Sequence, residues 1–208
     1  MRIILLRHGQ SQWNLENRFT GWEDVPLTEK GIEEAKNAGA LLINNRIIVD
    51  VVFSSNLQRA NKTAEIALNG KDFKNLWING ELKFIKNQSL NERDYGDLVG
   101  LNKEETAKKF GKDQVHIWRR SYDTPPPNGE SLMDVVNRVS PYFEKNISPL
   151  INDNKNVLIV AHGNSLRAIM IKVGLYKAEE ISKIELPTGS PFCINYENNQ
   201  ILDSYFLS

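Results

Sequence analysis

Two hydrophobic patterns take turns along this chain: short unbroken apolar runs, and apolar residues spaced three or four apart. Arg2 to Leu6 is a short β-branched run with no room for a helix, which predicts a buried strand. Residues 7–27 follow as a long polar and aromatic loop containing Gly21 and Pro26, a length that compact domains reserve for functional segments when it carries aromatics. Thr28 is placed to cap a helix reaching about Asn44, with Ile32, Ala35, Gly39 and Leu42 at helical spacing. Asp50 to Ser54 reads as a second strand, and Ser55 or Asn56 as the cap of a helix to about Leu68. Leu82 to Ile85 is a weaker strand pattern, and 86–101 a loop. Short polar helices are expected over 102–110 and 112–120, while Pro125-Pro126-Pro127 forbids helix between Tyr122 and Gly129. Leu132, Val135, Val136, Val139 and Phe143 form the buried stripe of a helix starting at Ser131, which Pro141 should kink. Asn156 to Ala161 is another strand, Ser165 to Val173 the helix behind it, and two strands near 192–196 and 200–206 close the chain. Strands alternating with helices, without a composition break, predict one α/β domain over 1–208 with a largely parallel sheet.

Composition narrows the partners. The 26 basic and 26 acidic residues balance, whereas a general nucleic-acid binder carries a basic surplus, so no nucleic-acid partner is expected. No apolar run approaches a membrane span, and Met1 to Leu6 offers too few apolar residues before Arg7 for a signal-peptide core. The single cysteine, Cys193, excludes an internal disulfide and sits in an apolar run, as a buried strand residue would; a reducing, cytoplasmic address is expected.

The chemistry gathers at strand ends. Of three histidines, His8 and His162 each follow an apolar run and precede a glycine, Gly9 and Gly163, while His116 lies in a polar helix as an incidental surface residue. In open α/β sheets ligands bind beyond the carboxyl ends of the strands, so two strands ending in His-Gly should bring two imidazoles together there. Gly9 has no side chain to block an approaching group. Zinc would want a third ligand, yet Arg and Asn, not carboxylates, flank both histidines. A Ser-His-Asp hydrolase would want a G-x-S-x-G elbow, and the chain has none. Histidine attacking phosphorus fits better, because Arg7 precedes the first histidine and Arg59 falls in the first turn after the second strand. Arg119 and Arg120 end a helix before the proline-rich loop. Several arginine forks around one edge of a neutral protein point to a small anionic substrate.

The octet Arg7-His8-Gly9-Gln10-Ser11-Gln12-Trp13-Asn14, then Phe19-Thr20-Gly21-Trp22 and Pro26-Leu27-Thr28-Glu29-Lys30-Gly31, resembles the signature of the cofactor-dependent phosphoglycerate mutases. So do Ser54 to Ala60, Asn91-Glu92-Arg93-Asp94-Tyr95-Gly96, Leu98 to Lys103, Trp118-Arg119-Arg120 and Ala161 to Ser165, a correspondence over nearly the whole chain. Arg-His-Gly alone would mark only the wider histidine phosphatase superfamily.

This resemblance implies a phosphoglycerate mutase-like, Rossmann-like three-layer fold with a mixed, mostly parallel sheet. It implies interconversion of 2- and 3-phosphoglycerate through a phosphohistidine primed by 2,3-bisphosphoglycerate, without a metal. His8 would be the nucleophile. His162, Arg7, Arg59 and Asn14 would stabilise the transferring group, and Glu92 would exchange a proton with the substrate hydroxyl. Ser11, Thr20, Gly21, Tyr95, Lys103, Arg119, Arg120, Gly163 and Asn164 match positions that hold the phosphoglycerate. A homodimer is expected from the resemblance. Longer members carry extra residues between the Trp-Arg-Arg segment and the next helix, and here Tyr122 to Pro127 runs almost straight into Asn128 to Ser131. A less closed pocket would raise hydrolysis beside transfer. The alternative reading is a phosphatase of the same superfamily acting on a small phosphomonoester.

Overall fold

A computed structural model describes residues 1–197 and 200–208. In chain order the first half contains β1 (Arg2–Arg7), α1 (Gln12–Leu15), α2 (Glu29–Asn44), β2 (Val51–Ser54) and α3 (Gln58–Ala67). A small hairpin follows, β3 (Trp77–Ile78) and β4 (Glu81–Leu82), then β5 (Ile85–Lys86). The second half runs α4 (Lys103–Phe110), α5 (Lys112–Arg120), α6 (Leu132–Tyr142), α7 (Ser148–Asn152), β6 (Val157–Ala161) and α8 (Gly163–Lys172). It ends with α9 (Ala178–Ile181), β7 (Pro191–Glu197) and β8 (Gln200–Phe206).

Six strands make one sheet in the order β5-β2-β6-β1-β7-β8. The first four run parallel, β7 adds antiparallel to β1, and β8 adds antiparallel to β7. Ile3 to Leu6 of β1 and all of β6 are apolar because both of their faces are covered, the usual condition of a parallel sheet. Ile3, Leu5, Val157 and Ile159 pack with α6 and α8 residues such as Val135, Val139 and Ile169. Ile4, Leu6, Leu158 and Val160 pack on the other face with Leu42 of α2 and Ala60 and Ala64 of α3. This is the expected three-layer α/β arrangement with a mixed, mostly parallel sheet. Cys193 lies fully buried in β7 with its thiol pushed up to about 11 by burial, which leaves it unreactive at neutral pH. No helix among the described residues is long and apolar enough to cross a membrane.

Several expected boundaries move. The loop 7–27 contains α1, capped reciprocally by Ser11 and Asn14. The run 82–85 is not one strand, for Leu82 pairs in the small hairpin while Ile85 joins the main sheet beside Phe53. Neither Ser55 nor Asn56 is the cap of α3: its cap position is Leu57 and has no side-chain bond. Helix α8 starts at Gly163, two residues before the expected Ser165, with His162 at its cap position. Pro141 lies inside α6, and the chain widens into a π-helical turn at Phe143–Ile147 before α7, which keeps Phe143 and Ile147 buried.

Candidate active site

Register decides which residues meet. Strand β1 pairs with β6 so that Arg7 stands opposite Ala161, and the next residues, His8 and His162, leave the sheet side by side. The His8 amide extends the ladder by donating to the Ala161 carbonyl at 3.0 Å. The two imidazole centroids lie 4.9 Å apart, tilted by 59°, and both side chains are buried. His8 Nδ1 lies 2.7 Å from the Gly9 carbonyl oxygen. A carbonyl only accepts, so Nδ1 carries the hydrogen and Nε2 keeps its lone pair. Burial, then the charges of Arg59 and Arg7, hold the His8 pKa well below the ordinary histidine value. The ring is therefore neutral at physiological pH, as a nucleophile must be. Burial and Arg59 do the same to His162.

Gly9 is required for a reason other than ligand approach. A Cβ there would sit 2.2 Å from the Gly31 carbonyl oxygen, and one on Gly31 would sit 2.1 Å from that of Gln10. The loop after β1 is packed backbone to backbone on the first turn of α2.

Arginines surround the pair. Arg59 is 1% exposed and donates to the carbonyls of Glu23 and Gly21 at 2.7 and 2.9 Å. Burial pushes its pKa down to about 10, partly offset by Glu92 and Asp24, so it stays cationic. Arg7 donates to the Leu186 carbonyl at 2.8 Å. Four buried ring or guanidinium nitrogens have no protein partner among the described residues: Nε of Arg93 and, at or just beyond the ends of β1, β2 and β6, Nε of Arg7, Nε of Arg59 and Nδ1 of His162. Unpaired buried donors are costly and rare, and three of them at one sheet edge fit a polyanionic ligand.

Glu92 supplies the carboxylate. Burial raises its pKa, but hydrogen bonds from Arg93 and Asn164 and the fields of Arg7 and Arg59 outweigh this and hold it below the ordinary value. The Arg93 and Asn164 amides donate to Oε1 at 2.7 and 3.2 Å. Glu92 is thus an ionised carboxylate.

Two small cavities open over these groups. The inner one, about 70 Å³, is walled by Arg7, His8, Arg59 and Glu92, with Asn14, Thr20, Tyr95 and Lys103 around them. The outer one, about 150 Å³, shares Arg7, Glu92, Tyr95 and Lys103 and adds Arg119, Arg120, Gly163 and Asn164. Three expected site residues line neither cavity, and one of them is His162, whose side chain is fully buried. Ser11 is fully buried and caps α1. Gly21, at φ +56°, gives its carbonyl to Arg59. A larger cavity, about 640 Å³, lies elsewhere, between α3 and the β3–β4 hairpin.

The sequence model of the histidine phosphatase superfamily (branch 1) matches residues 3–203. The 2,3-bisphosphoglycerate-dependent phosphoglycerate mutase of Bartonella bacilliformis is 50% identical over 206 residues, covering 99% of this chain and 95% of its own. That of Zymomonas mobilis is 48% identical over 231 aligned positions, covering 99% and 98%. The chain belongs to the histidine phosphatase superfamily, in its phosphoglycerate mutase family. Similar solved structures are Bacillus stearothermophilus YhfR (TM-score 0.79, 26% identity, 96% of this chain and 93% of that one) and the alpha-ribazole phosphatase of Shigella flexneri (TM-score 0.78, 26% identity, 100% and 96%). The Zymomonas alignment is longer than the 208 residues of this superfamily member, so that relative carries positions without a counterpart here. The Bartonella one is not, and is similarly compact.

Sequence reading missed the residues that hold the site in place. Arg138, from α6, donates to the carbonyls of Ser89, Asn91 and Glu92 and pairs with Glu130 through two nitrogens. Trp22 Nε1 donates to the Glu92 carbonyl at 2.6 Å. Arg93, 1% exposed, lies 4.7 Å from the Tyr95 ring centroid and donates to the Arg119 carbonyl. The helical pattern around Arg138 and the family motif around Arg93 were visible, but not that their cations point inward.

Proposed function

We propose that this chain interconverts 2-phosphoglycerate and 3-phosphoglycerate by way of a phosphohistidine on His8. The observation that carries the transfer chemistry is the pair of neutral imidazoles flanked by unpaired, buried guanidinium and imidazole nitrogens. Identities of 48–50% with mutases, against 26% with a phosphatase, favour transfer between isomers over hydrolysis.

2,3-Bisphosphoglycerate supplies the phosphoryl group that charges His8, and no metal takes part. His8 Nε2 attacks phosphorus in line, splitting one difficult transfer into two easier ones. Arg7, Arg59, Asn14 and His162 offset charge as it spreads over the phosphoryl oxygens, the main source of catalysis in such transfers. Glu92 takes the proton of the substrate hydroxyl that attacks the phosphohistidine, and returns it when a hydroxyl leaves. Lys103, Arg119, Arg120, Tyr95, Thr20, Gly163 and Asn164 hold the remaining anionic groups. Ser11 and Gly21 belong to the binding set through α1 and Arg59. The protein works as one domain over 1–208, as a cytoplasmic homodimer.

The primed protein should exchange the two isomers at a rate that EDTA leaves unchanged, and sedimentation should give a dimer mass. Phosphate release exceeding isomer exchange would make it the phosphatase that its structural neighbours suggest.

A further inference from the structure

His8 and His162 leave adjacent strands side by side, yet their second nitrogens face different groups. The partner of His8 is a carbonyl, which leaves no choice of tautomer. The partner of His162 is a hydroxyl: Ser55 Oγ lies 2.8 Å from Nε2, and both side chains have no exposure. Hydroxyls can donate or accept, so the proton on His162 depends on what else holds Ser55.

Ser55 Oγ accepts the Leu57 amide hydrogen at 3.2 Å. If Nε2 carried the ring hydrogen, it and Leu57 would both donate to the same oxygen. The hydroxyl hydrogen would then have no acceptor among the described residues, in a fully buried place, which costs more than the bond it replaces. With the hydroxyl donating to Nε2, the Ser55 hydrogen has a partner and the ring hydrogen falls on Nδ1, where a bound phosphoryl oxygen would accept it. That nitrogen is the buried one without a protein partner, as are Nε of Arg7 and Nε of Arg59.

We propose that Ser55 is the positioning residue that fixes His162 as its Nδ1–H tautomer, so that the second imidazole offers the phosphoryl group a hydrogen rather than a lone pair. The inference rests on the reading of His8 as phosphoryl carrier. It gives the two histidines complementary faces, a free lone pair on His8 Nε2 and an unengaged N–H on His162 Nδ1, both on buried rings. The opposite tautomer would turn a lone pair toward phosphoryl oxygens and repel them. A buried outer partner that fixes the tautomer of a working histidine is a familiar device at metal sites, where losing it lowers affinity or activity by about 10- to 100-fold.

The test uses full-length protein labelled with nitrogen-15 at its three histidines, with His116→Gln to assign the exposed ring. In the wild type, His162 should show a protonated Nδ1 and an unprotonated Nε2. Ser55→Ala should lose that preference and slow phosphohistidine formation by about 10- to 100-fold, with KM for phosphoglycerate little changed. Ser55→Thr, which keeps the hydroxyl, should restore both. A wild-type His162 protonated at Nε2 overturns the proposal, and so does a folded Ser55→Ala that labels at the wild-type rate. Should Ser55→Ala not fold, the wild-type tautomer and Ser55→Thr decide in the same terms. A wild type that takes no label at all defeats the mutase reading, while its ring spectrum still judges Ser55.

Discussion

Around His8 the cations are tied to the backbone: Arg7 to the Leu186 carbonyl, and the buried Arg59 to the carbonyls of Gly21 and Glu23. At the mouth of the cleft the ties are looser. Arg120 reaches the Ser182 carbonyl only at 3.3 Å and pairs at 2.7 Å with Glu185, whose side chain is 64% exposed, and Arg119 stands exposed beside it. The inner groups cannot reorganise without breaking the chain's own hydrogen bonds, so they are set for charge that develops during transfer. The outer groups are screened by water and can adapt to whichever isomer arrives. Rate should therefore reside inside and affinity outside.

Glu92→Gln removes the inner base without altering shape. It should lower kcat by about 10²- to 10⁴-fold, with KM nearly unchanged, in steady-state isomerase assays. Arg120→Met should do the opposite, raising KM by about 10- to 100-fold, the worth of a hydrogen bond to a charged group, with little change in kcat. Equal losses in both parameters for both variants would abolish the distinction.

A pH series tests the inner region by another route. The folded pKa values of His8 and His162 are depressed well below 6.5, chiefly by burial. Below pH 6.5 the unfolded chain binds protons that the folded chain refuses, so stability falls as pH drops from there toward the folded values. Each histidine contributes a slope of up to about 1.4 kcal/mol per pH unit. Denaturation midpoints should show this, and replacing His162 with Asn should flatten it. The smallest effect belongs to Glu185→Gln. Releasing Arg120 from an exposed ion pair should lower KM by no more than about fivefold.

The sheet was legible because Ile3 to Leu6 of β1 and all of β6, covered on both faces, read as unbroken apolar runs, and because Thr28 caps α2 through the Gly31 amide as its position suggested. Helix α1 was not: its four residues, Gln12–Leu15, show no apolar stripe, and its reciprocal cap uses Asn14 where a glutamate is the usual signal. The start of α8 was hidden because histidine is not a common cap residue. In the site, the residues next to strand ends could be found by counting outward from apolar runs. Ser55 and Arg138 could not, since their partners lie 107 residues away at His162 and 46 away at Glu92. Ser55 was visible as a possible helix cap and within the family-like segment Ser54 to Ala60, but neither signal pointed to His162.

The central claim is that His8 carries phosphorus between two isomers. It is tested most directly by incubating the protein with 2,3-bisphosphoglycerate labelled in its phosphoryl groups, trapping the protein, and measuring acid-labile label on histidine before chasing it with unlabelled phosphoglycerate. We expect one acid-labile label per chain, absent from His8→Ala, that chases into bisphosphoglycerate and monophosphoglycerate rather than free phosphate. Label that persists in His8→Ala, or a wild type that exchanges isomers without ever becoming labelled, would contradict it.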